Sequence, residues 1–350
     1  MPKIEGIATA IPDFRVDQSE AKEFAKHLFG SHFKDIARLL PIFDNAGIKT
    51  RYFSVPSSWF GTEHSLEEKN EIYIRAATDL GAKAISKVLE NANTDLNEID
   101  YIIYINTTGL ATPSIDARLI NKLNLRRNIR RTPIWGLGCA GGAAGLSHAY
   151  HYLVGHPSHR ALVVAVELCG LTFIHDDFSK SNLVACALFA DGAAAALIIG
   201  DDVDAAGLEI LATQSAFYPD SLNVMGWNIV SKGMQVVFDK RIPDIVAANS
   251  DNELNSFLSL YSLAKTDISQ YLFHPGGIKV VEAYEKALGV GGNGFEISRE
   301  ILRDYGNMSS VTVFYIISRY LEKYGLNRSG YGVISALGPG FCSESLIVRL

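Results

Sequence analysis

Apolar residues in this chain fall into short, nearly unbroken runs separated by longer amphipathic segments. The strand-like runs are Tyr101-Ile102-Ile103-Tyr104-Ile105, residues 161–166, residues 193–199, Tyr271-Leu272-Phe273 and Tyr331-Gly332-Val333-Ile334-Ser335. Their length and their β-branched or aromatic content predict strands covered on both faces, as in parallel-rich sheets. Between them, residues 71–90, 114–123, 243–260, 278–288 and 309–324 carry helical spacing. The order strand, glycine-rich turn, helix, strand runs through residues 108–166 and again through 273–335, so the chain reads as doubled. The polar turn Gly200-Asp201-Asp202-Val203-Asp204 lies between the copies and divides an N-terminal half (1–200) from a C-terminal half (201–350).

Composition narrows the class. With 350 residues, 48% of them hydrophobic and 20% charged, the chain can bury a large core in about two domains' worth of structure. The richest apolar stretches are broken by Glu167 and Asp191, so no membrane insertion is expected. The N-terminus shows no secretory pattern, and Cys139, Cys169, Cys186 and Cys342 show no C-x-x-C pairing. Both point to reduced thiols and a cytoplasmic location. A net charge of −6 argues against nucleic acid as a partner. An enzyme of small molecules is the expectation.

The segment Gly136-Leu137-Gly138-Cys139-Ala140-Gly141-Gly142-Ala143-Ala144-Gly145 is the most informative. As a pattern, Gly136-x-Gly138-x-x-Gly141 fits a dinucleotide loop, with Glu167 closing the next strand as a ribose-binding acid. A thiol in the middle of the loop argues against that use. Gly289-x-Gly291-x-x-Gly294 repeats the pattern after a helix, which shows how cheaply it arises. The alternative is a nucleophile opening a helix: strand 132–135, a glycine turn, then Cys139 at the start of helix 140–153. Helix N–H groups aimed at the sulfur favour thiolate. Several glycines inside one helix imply close backbone approach and a central, buried position.

A thiolate nucleophile needs a base and oxyanion donors. His274 ends the strand Tyr271-Leu272-Phe273 and precedes Pro275-Gly276-Gly277, a placement that suits chemistry. Asn307 sits in Tyr305-Gly306-Asn307-Met308-Ser309-Ser310, where it could equally begin a helix. His148, His151, His156 and His159 fit a polar helix end better than a zinc site. Cys, His and Asn in this order also describe papain-like hydrolases, but the Cys-Gly-Ser-Cys-Trp motif is absent.

Four motifs together resemble the type III polyketide synthases, the chalcone and stilbene synthase-like enzymes. They are Gly138-Cys139-Ala140-Gly141-Gly142, Phe273-His274-Pro275-Gly276-Gly277, Tyr305-Gly306-Asn307-Met308-Ser309-Ser310 and Gly338-Pro339-Gly340. Ala187-Leu188-Phe189-Ala190-Asp191-Gly192 is similar to the family's phenylalanine-bearing segment, with Ala190 in place of a glycine. The resemblance runs from about Ile4 to Leu350. It implies an α/β fold, the thiolase-like αβαβα five-layer sandwich of two related halves, active as a homodimer on acyl-CoA and malonyl-CoA with no further cofactor and no metal. It also implies that Cys139 carries the acyl chain, that His274 and Asn307 polarise the thioester carbonyls, and that Phe189 gives the malonyl carboxylate an apolar face. No acid is expected in the set. With a helix N-terminus and His274 both favouring thiolate, Cys139 is expected to be alkylated at lower pH than a free thiol.

Departures from the plant pattern refine the expectation. Gly233-Met234-Gln235-Val236 puts Val236 where plant enzymes carry a second gating phenylalanine, and Thr108, Cys169 and Thr172 match other lining positions. All four are small, so an elongated apolar tunnel is expected, with Gly338 and Pro339 on the C-terminal loop closing the pocket. Of the residues that hold coenzyme A phosphates, only Arg38 aligns; Lys34, Lys49 and Arg51 are the substitutes. The closest likeness is to bacterial alkylpyrone synthases. The expected reaction is iterative decarboxylative Claisen condensation on a long-chain acyl starter, giving alkylpyrones and some alkylresorcinols. The rivals are a single-condensation beta-ketoacyl synthase served by an acyl carrier protein and, more distantly, a dinucleotide-dependent oxidoreductase.

Overall fold

Strands from both halves of the chain join one nine-stranded mixed sheet, in the order β11-β12-β13-β8-β1-β7-β6-β4-β5. The computed structural model describes residues 1–291, 294–326 and 328–350. The middle of the glycine pattern 289–294 therefore lies outside the described residues. The first half runs β1 (Lys3–Ala10), β2 (Phe14–Asp17), α1 (Gln18–Phe29), α2 (Pro41–Asp44), β3 (Thr50–Phe53), α3 (Leu66–Ala92), β4 (Tyr101–Asn106) and α4 (Ile115–Leu123). It continues through β5 (Arg130–Trp135), α5 (Gly141–Val154), β6 (Arg160–Leu168), α6 (Lys180–Leu188) and β7 (Asp191–Ile199). The second half holds β8 (Leu208–Phe217), β9 (Met225–Val230), β10 (Gly233–Phe238), α7 (Ile242–Ser259), β11 (Ile268–Phe273) and α8 (Ile278–Leu288). It ends with α9 (Glu296–Tyr305), α10 (Thr312–Tyr324), β12 (Tyr331–Gly338) and β13 (Cys342–Arg349).

Alternation along each strand builds the layers, because successive side chains leave opposite faces. Ile103 and Ile105 of β4 face a core that also takes Leu146 and Leu153 of α5, Phe314 and Ile317 of α10, and Ile334 and Leu346 from the second half. Ile102 and Tyr104 face the other way, onto Tyr73, Ile85 and Val88 of α3. In the second half, Val333 and Ile347 turn outward onto Phe257 of α7 and Tyr284 of α8. The result is α3 and α4, the first-half strands, α5 with α10, the second-half strands, then α7 with α8. These are the five layers of the thiolase-like fold.

The sheet differs from the parallel-rich expectation. β4 pairs in parallel with β5 and β6, and β11 with β12. The pairs β1–β7, β6–β7, β12–β13 and β13–β8 are antiparallel. Continuous apolar runs reflect burial on both faces, and a sandwich buries antiparallel strands as completely as parallel ones. Within the sheet the first-half and second-half strands pair at Lys3↔Glu209 and Ile4↔Leu208. Among the described residues, no helix is long and apolar enough to cross a membrane.

Candidate active site

The glycine segment forms a strand-to-helix turn, with Cys139 in a 3-10 turn (Gly138–Ala140) leading into α5. Gly138 has φ +47°, and a Cβ there would lie 2.6 Å from Pro339 Cδ. A Cβ on Gly142 would collide with the Ser310 carbonyl oxygen. These contacts explain the glycines. They press α5 against the C-terminal turn and against the 3-10 turn Ser309–Val311 that starts α10. The dinucleotide reading lapses for the same reason, since protein atoms fill the space a pyrophosphate would take. Gly338 and Pro339 pack against the Cys139 turn.

Asn307 is brought to Cys139 from the other half of the chain. Its backbone clamps the Phe189 segment: Asn307 N donates to Leu188 O at 2.9 Å, and Ala190 N to Asn307 O at 2.9 Å. Its Oδ1 accepts from Ser309 N at 2.8 Å, and its Nδ2 donates to Gly276 O at 2.8 Å, beside the His274 turn. An amide nitrogen has two N–H groups, so one donor remains. The Asn307 and Ser309 side chains lie close enough to the Cys139 sulfur to favour its thiolate. His274 is held by its own N–H to Ser335 O at 2.8 Å. Its imidazole is buried with Nδ1 and Nε2 both unpartnered. Two buried nitrogens without partners are costly unless a substrate or a proton uses them.

Burial reverses the expected ionisation of each group taken singly. It pushes the Cys139 thiol up to about 12, against the pull of Ser309 and Asn307, and it pushes His274 down to about 3. The resting forms are a neutral thiol and a neutral imidazole. A proton passed from sulfur to imidazole keeps the pair's net charge at zero, so burial penalises the ion pair less than either ion alone.

An acid does stand in the site, contrary to the expectation of none. Glu167, fully buried at the end of β6, accepts from Thr107 N at 2.9 Å, Thr108 Oγ1 at 2.8 Å and Ser310 Oγ at 2.7 Å. Burial raises its carboxyl to about 7. Thr107 Oγ1 in turn accepts from Gly138 N at 3.0 Å, which links this carboxyl to the nucleophile's turn. Its signal in the sequence is a lone charge inside an apolar strand.

Beside the site lies a cavity lined mainly by apolar side chains. Phe189, Cys169, Thr172 and Val236 line it. Thr108, its hydroxyl bonded to Glu167, borders a small neighbouring pocket together with Thr172 and Met234. Two aromatics escape sequence reasoning. Phe238, two residues beyond Val236 on β10, and Trp227 on β9 approach the Phe189 ring at 5.5 and 6.0 Å.

The basic residues divide. Lys34, Arg38 and Lys49 are exposed near α2, with Arg38 paired to Asp35 at 3.1 Å. Arg51 is 2% exposed, and its Nη1 donates to Cys186 O at 2.7 Å and Phe189 O at 2.8 Å, so it does not hold coenzyme A phosphates at the surface. On the histidine-rich helix end, His151 Nε2 bonds Thr213 Oγ1, and His156 and His159 bond Tyr152.

Comparison with known proteins settles the family. The model for chalcone and stilbene synthases, N-terminal domain, matches residues 3–203, and that for the C-terminal domain matches residues 209–350. The chain belongs to the chalcone and stilbene synthase family. A Bacillus subtilis (strain 168) relative named for chalcone synthase is 40% identical over 99% of this chain and 98% of its own. A 1,3,6,8-tetrahydroxynaphthalene synthase from Streptomyces peucetius subsp. caesius is 35% identical over 99% and 92%. The crystal structure of a 1,3,6,8-tetrahydroxynaphthalene synthase from Streptomyces coelicolor A3(2), a bacterial type III polyketide synthase, superposes with TM-score 0.95 at 26% identity, covering 99% of each chain. The protein is therefore a type III polyketide synthase, an acyltransferase that uses coenzyme A thioesters without a further cofactor. The carrier-protein and oxidoreductase alternatives are set aside.

Proposed function

We propose that Cys139 takes a long-chain acyl group from coenzyme A and that the enzyme extends it with malonyl-CoA, releasing alkylpyrones and some alkylresorcinols. In this reading a proton moves from Cys139 Sγ to His274 as the thiolate attacks the starter thioester and coenzyme A leaves as the thiol. Asn307 Nδ2 and His274 then hold the malonyl thioester oxygen while CO₂ departs, so the electron pair resides on an enolate stabilised by two donors. Phe189 offers the departing carboxylate an apolar face, which disfavours the charged reactant relative to neutral CO₂. The enolate carbon attacks the Cys139 thioester and sulfur leaves, so the longer chain is carried on coenzyme A until reloaded. Lys34, Arg38 and Lys49 are proposed to meet the coenzyme A phosphates, and the protein is proposed to work as a cytoplasmic homodimer.

The observation that carries the long-chain reading is the apolar cavity, whose inner wall contains Phe189 and Cys169. Each methylene buried there contributes about 0.8 kcal/mol, so a fitting fatty chain is favoured steeply over a short one. The test measures kcat/KM across acyl-CoAs from short to long, with p-coumaroyl-CoA and malonyl-CoA alone as further arms. Specificity should rise with chain length up to a limit. A product formed best from malonyl-CoA alone would assign the chain a starter like that of the tetrahydroxynaphthalene synthases. Val236→Phe should move the preference to shorter chains, since a further ring would add to Phe189, Trp227 and Phe238. An unchanged chain-length profile would remove Val236 from the acyl path.

Asn307→Ala separates the two half-reactions. Malonyl decarboxylation should fall by about two to three orders of magnitude, the usual cost of one oxyanion-type donor, with starter loading on Cys139 comparatively intact. Equal losses in both would reduce Asn307 to the local cap that its bond from Ser309 N also makes it.

A further inference from the structure

Arg51, expected to meet phosphates, instead lies buried where the two halves of the site converge. It belongs to β3, a strand outside the main sheet that braces two catalytic segments at once. On one side Arg51 Nη1 donates to Cys186 O and Phe189 O, and Ser54 N and Oγ donate to Asp191 Oδ2, each at 2.8 Å. These contacts fix residues 186–191 around Phe189. On the other side Lys49 N donates to Arg303 O at 2.7 Å, and Thr50 Oγ1 to Asp304 O at 2.6 Å. Those fix the end of α9 just before Asn307. Arg51 reaches this second segment too. Gly306 has φ +73°, and a Cβ there would sit 2.8 Å from Arg51 Cγ and 2.9 Å from Cδ, so the arginine stem packs directly under the residue preceding Asn307.

We infer that Arg51 is a positioning residue for decarboxylation, holding the Phe189 ring and the Asn307 amide in register on the malonyl carboxylate. The inference rests on the roles proposed above for Phe189 and Asn307. One arginine side chain meets both segments, its guanidinium the first and its stem the second, and their direct link is the pair of backbone bonds between Asn307 and the Leu188–Ala190 stretch. Burial lowers the guanidinium only to about 10, so it stays cationic at neutral pH. The fully buried Asp191 is the carboxylate whose charge acts on it most. Two carbonyls and a stacked Phe53 ring, 5.5 Å from the guanidinium carbon, complete its surroundings. Arg51 also lines the apolar cavity, so loading is read with a short as well as a long acyl-CoA; with the short starter it should depend on Arg51 far less than CO₂ loss does.

The experiment uses full-length protein and two readouts: CO₂ from carboxyl-labelled malonyl-CoA, and acyl mass gained by Cys139 with a short and a long starter acyl-CoA. Arg51→Met should lower decarboxylation about 10- to 100-fold, the scale expected when a reacting group is displaced by about 1 Å, and loading of the short starter by less than about 3-fold. Arg51→Lys keeps the charge and one donor and should recover part of the decarboxylation rate. Thr50→Val removes the second brace with little change of volume and should give a smaller loss of the same selective kind. It and Arg51→Lys decide the matter should Arg51→Met not accumulate as folded protein. Equal losses in decarboxylation and short-starter loading, or none in either, would overturn the inference. Asn307→Ala in the same assay tells the two proposals apart. If that variant keeps its decarboxylation, the reading of the site fails. If it loses it while the Arg51 and Thr50 variants do not, only the present inference does.

Discussion

Cys139→Ala is expected to lose acyl loading and product formation, by about four orders of magnitude or more, while still releasing CO₂ slowly from malonyl-CoA. The asymmetry follows from the geometry. Loading needs a sulfur that attacks a thioester carbon, and Cys139 is the thiol at the head of α5, with Asn307 and Ser309 beside it to favour the thiolate. Cys169 and Cys186 line the neighbouring cavity, but burial raises both thiols and neither is helped by those donors. Decarboxylation needs only an apolar face for the carboxylate and donors for the enolate oxygen. Phe189, His274 and Asn307 remain in the variant. Folding should be nearly unaffected, since the change removes one sulfur atom from a site 6% exposed, at a cost of about 1 kcal/mol. Intact-mass spectrometry after incubation with an acyl-CoA reads the first half-reaction, and labelled CO₂ the second. If the Cys139→Ala variant still gained one acyl mass, the nucleophile would lie elsewhere.

The parts of this site that are legible in the sequence are those whose backbone demands special residues. A glycine turn around Cys139, a strand end at His274 and a glycine before Asn307 each leave a local mark, because the chain must turn or approach another backbone there. What stays hidden depends on which way a side chain faces. Arg51 looks like a partner for Lys49 in sequence, yet β3 alternates intermediate and buried positions, and Arg51 shares the buried face with Phe53. Counting by two would place it inside. The same period puts Phe238 beside Val236 on β10, but the polar, exposed residues of the β9–β10 hairpin mask the alternation. Helices 278–288 and 114–123 are readable to within a residue, since their amphipathic spacing is local. The antiparallel partners β1, β8 and β13 escape the pattern because pairing direction is a property of connections rather than of strands. Glu167 stands out in the sequence, where a ribose is the partner it suggests. A charge in an apolar run announces that it must be satisfied without saying by what.

That buried carboxyl sets the second large effect. Glu167→Ala should destabilise the protein by roughly 3 to 9 kcal/mol, because Thr107 N, Thr108 Oγ1 and Ser310 Oγ would each lose their acceptor in a dry interior, at about 1 to 3 kcal/mol apiece. Against a total stability of about 5 to 15 kcal/mol, such a variant is at the edge of folding. Glu167→Gln is the informative partner. Its carbonyl can serve Thr107 and Thr108, and its amide faces Ser310, so the shape and most of the bonding survive while the charge does not. The wild-type carboxyl lies near 7 in the folded protein against 4.5 in the ordinary case. A raised acid binds its proton more tightly when folded, so its stabilising contribution is complete below pH 4.5 and is lost as pH rises through 7. Over that window wild type should lose on the order of 3 kcal/mol that the glutamine variant keeps. The difference between the two proteins cancels the titrations they share, including those of Asp191 and His274. Denaturant unfolding of both at pH 5 and pH 8 measures it: the variant should gain on wild type at the higher pH. Parallel stabilities at both values would mean that Glu167 stays ionised throughout, its charge matched by the three donors that surround it.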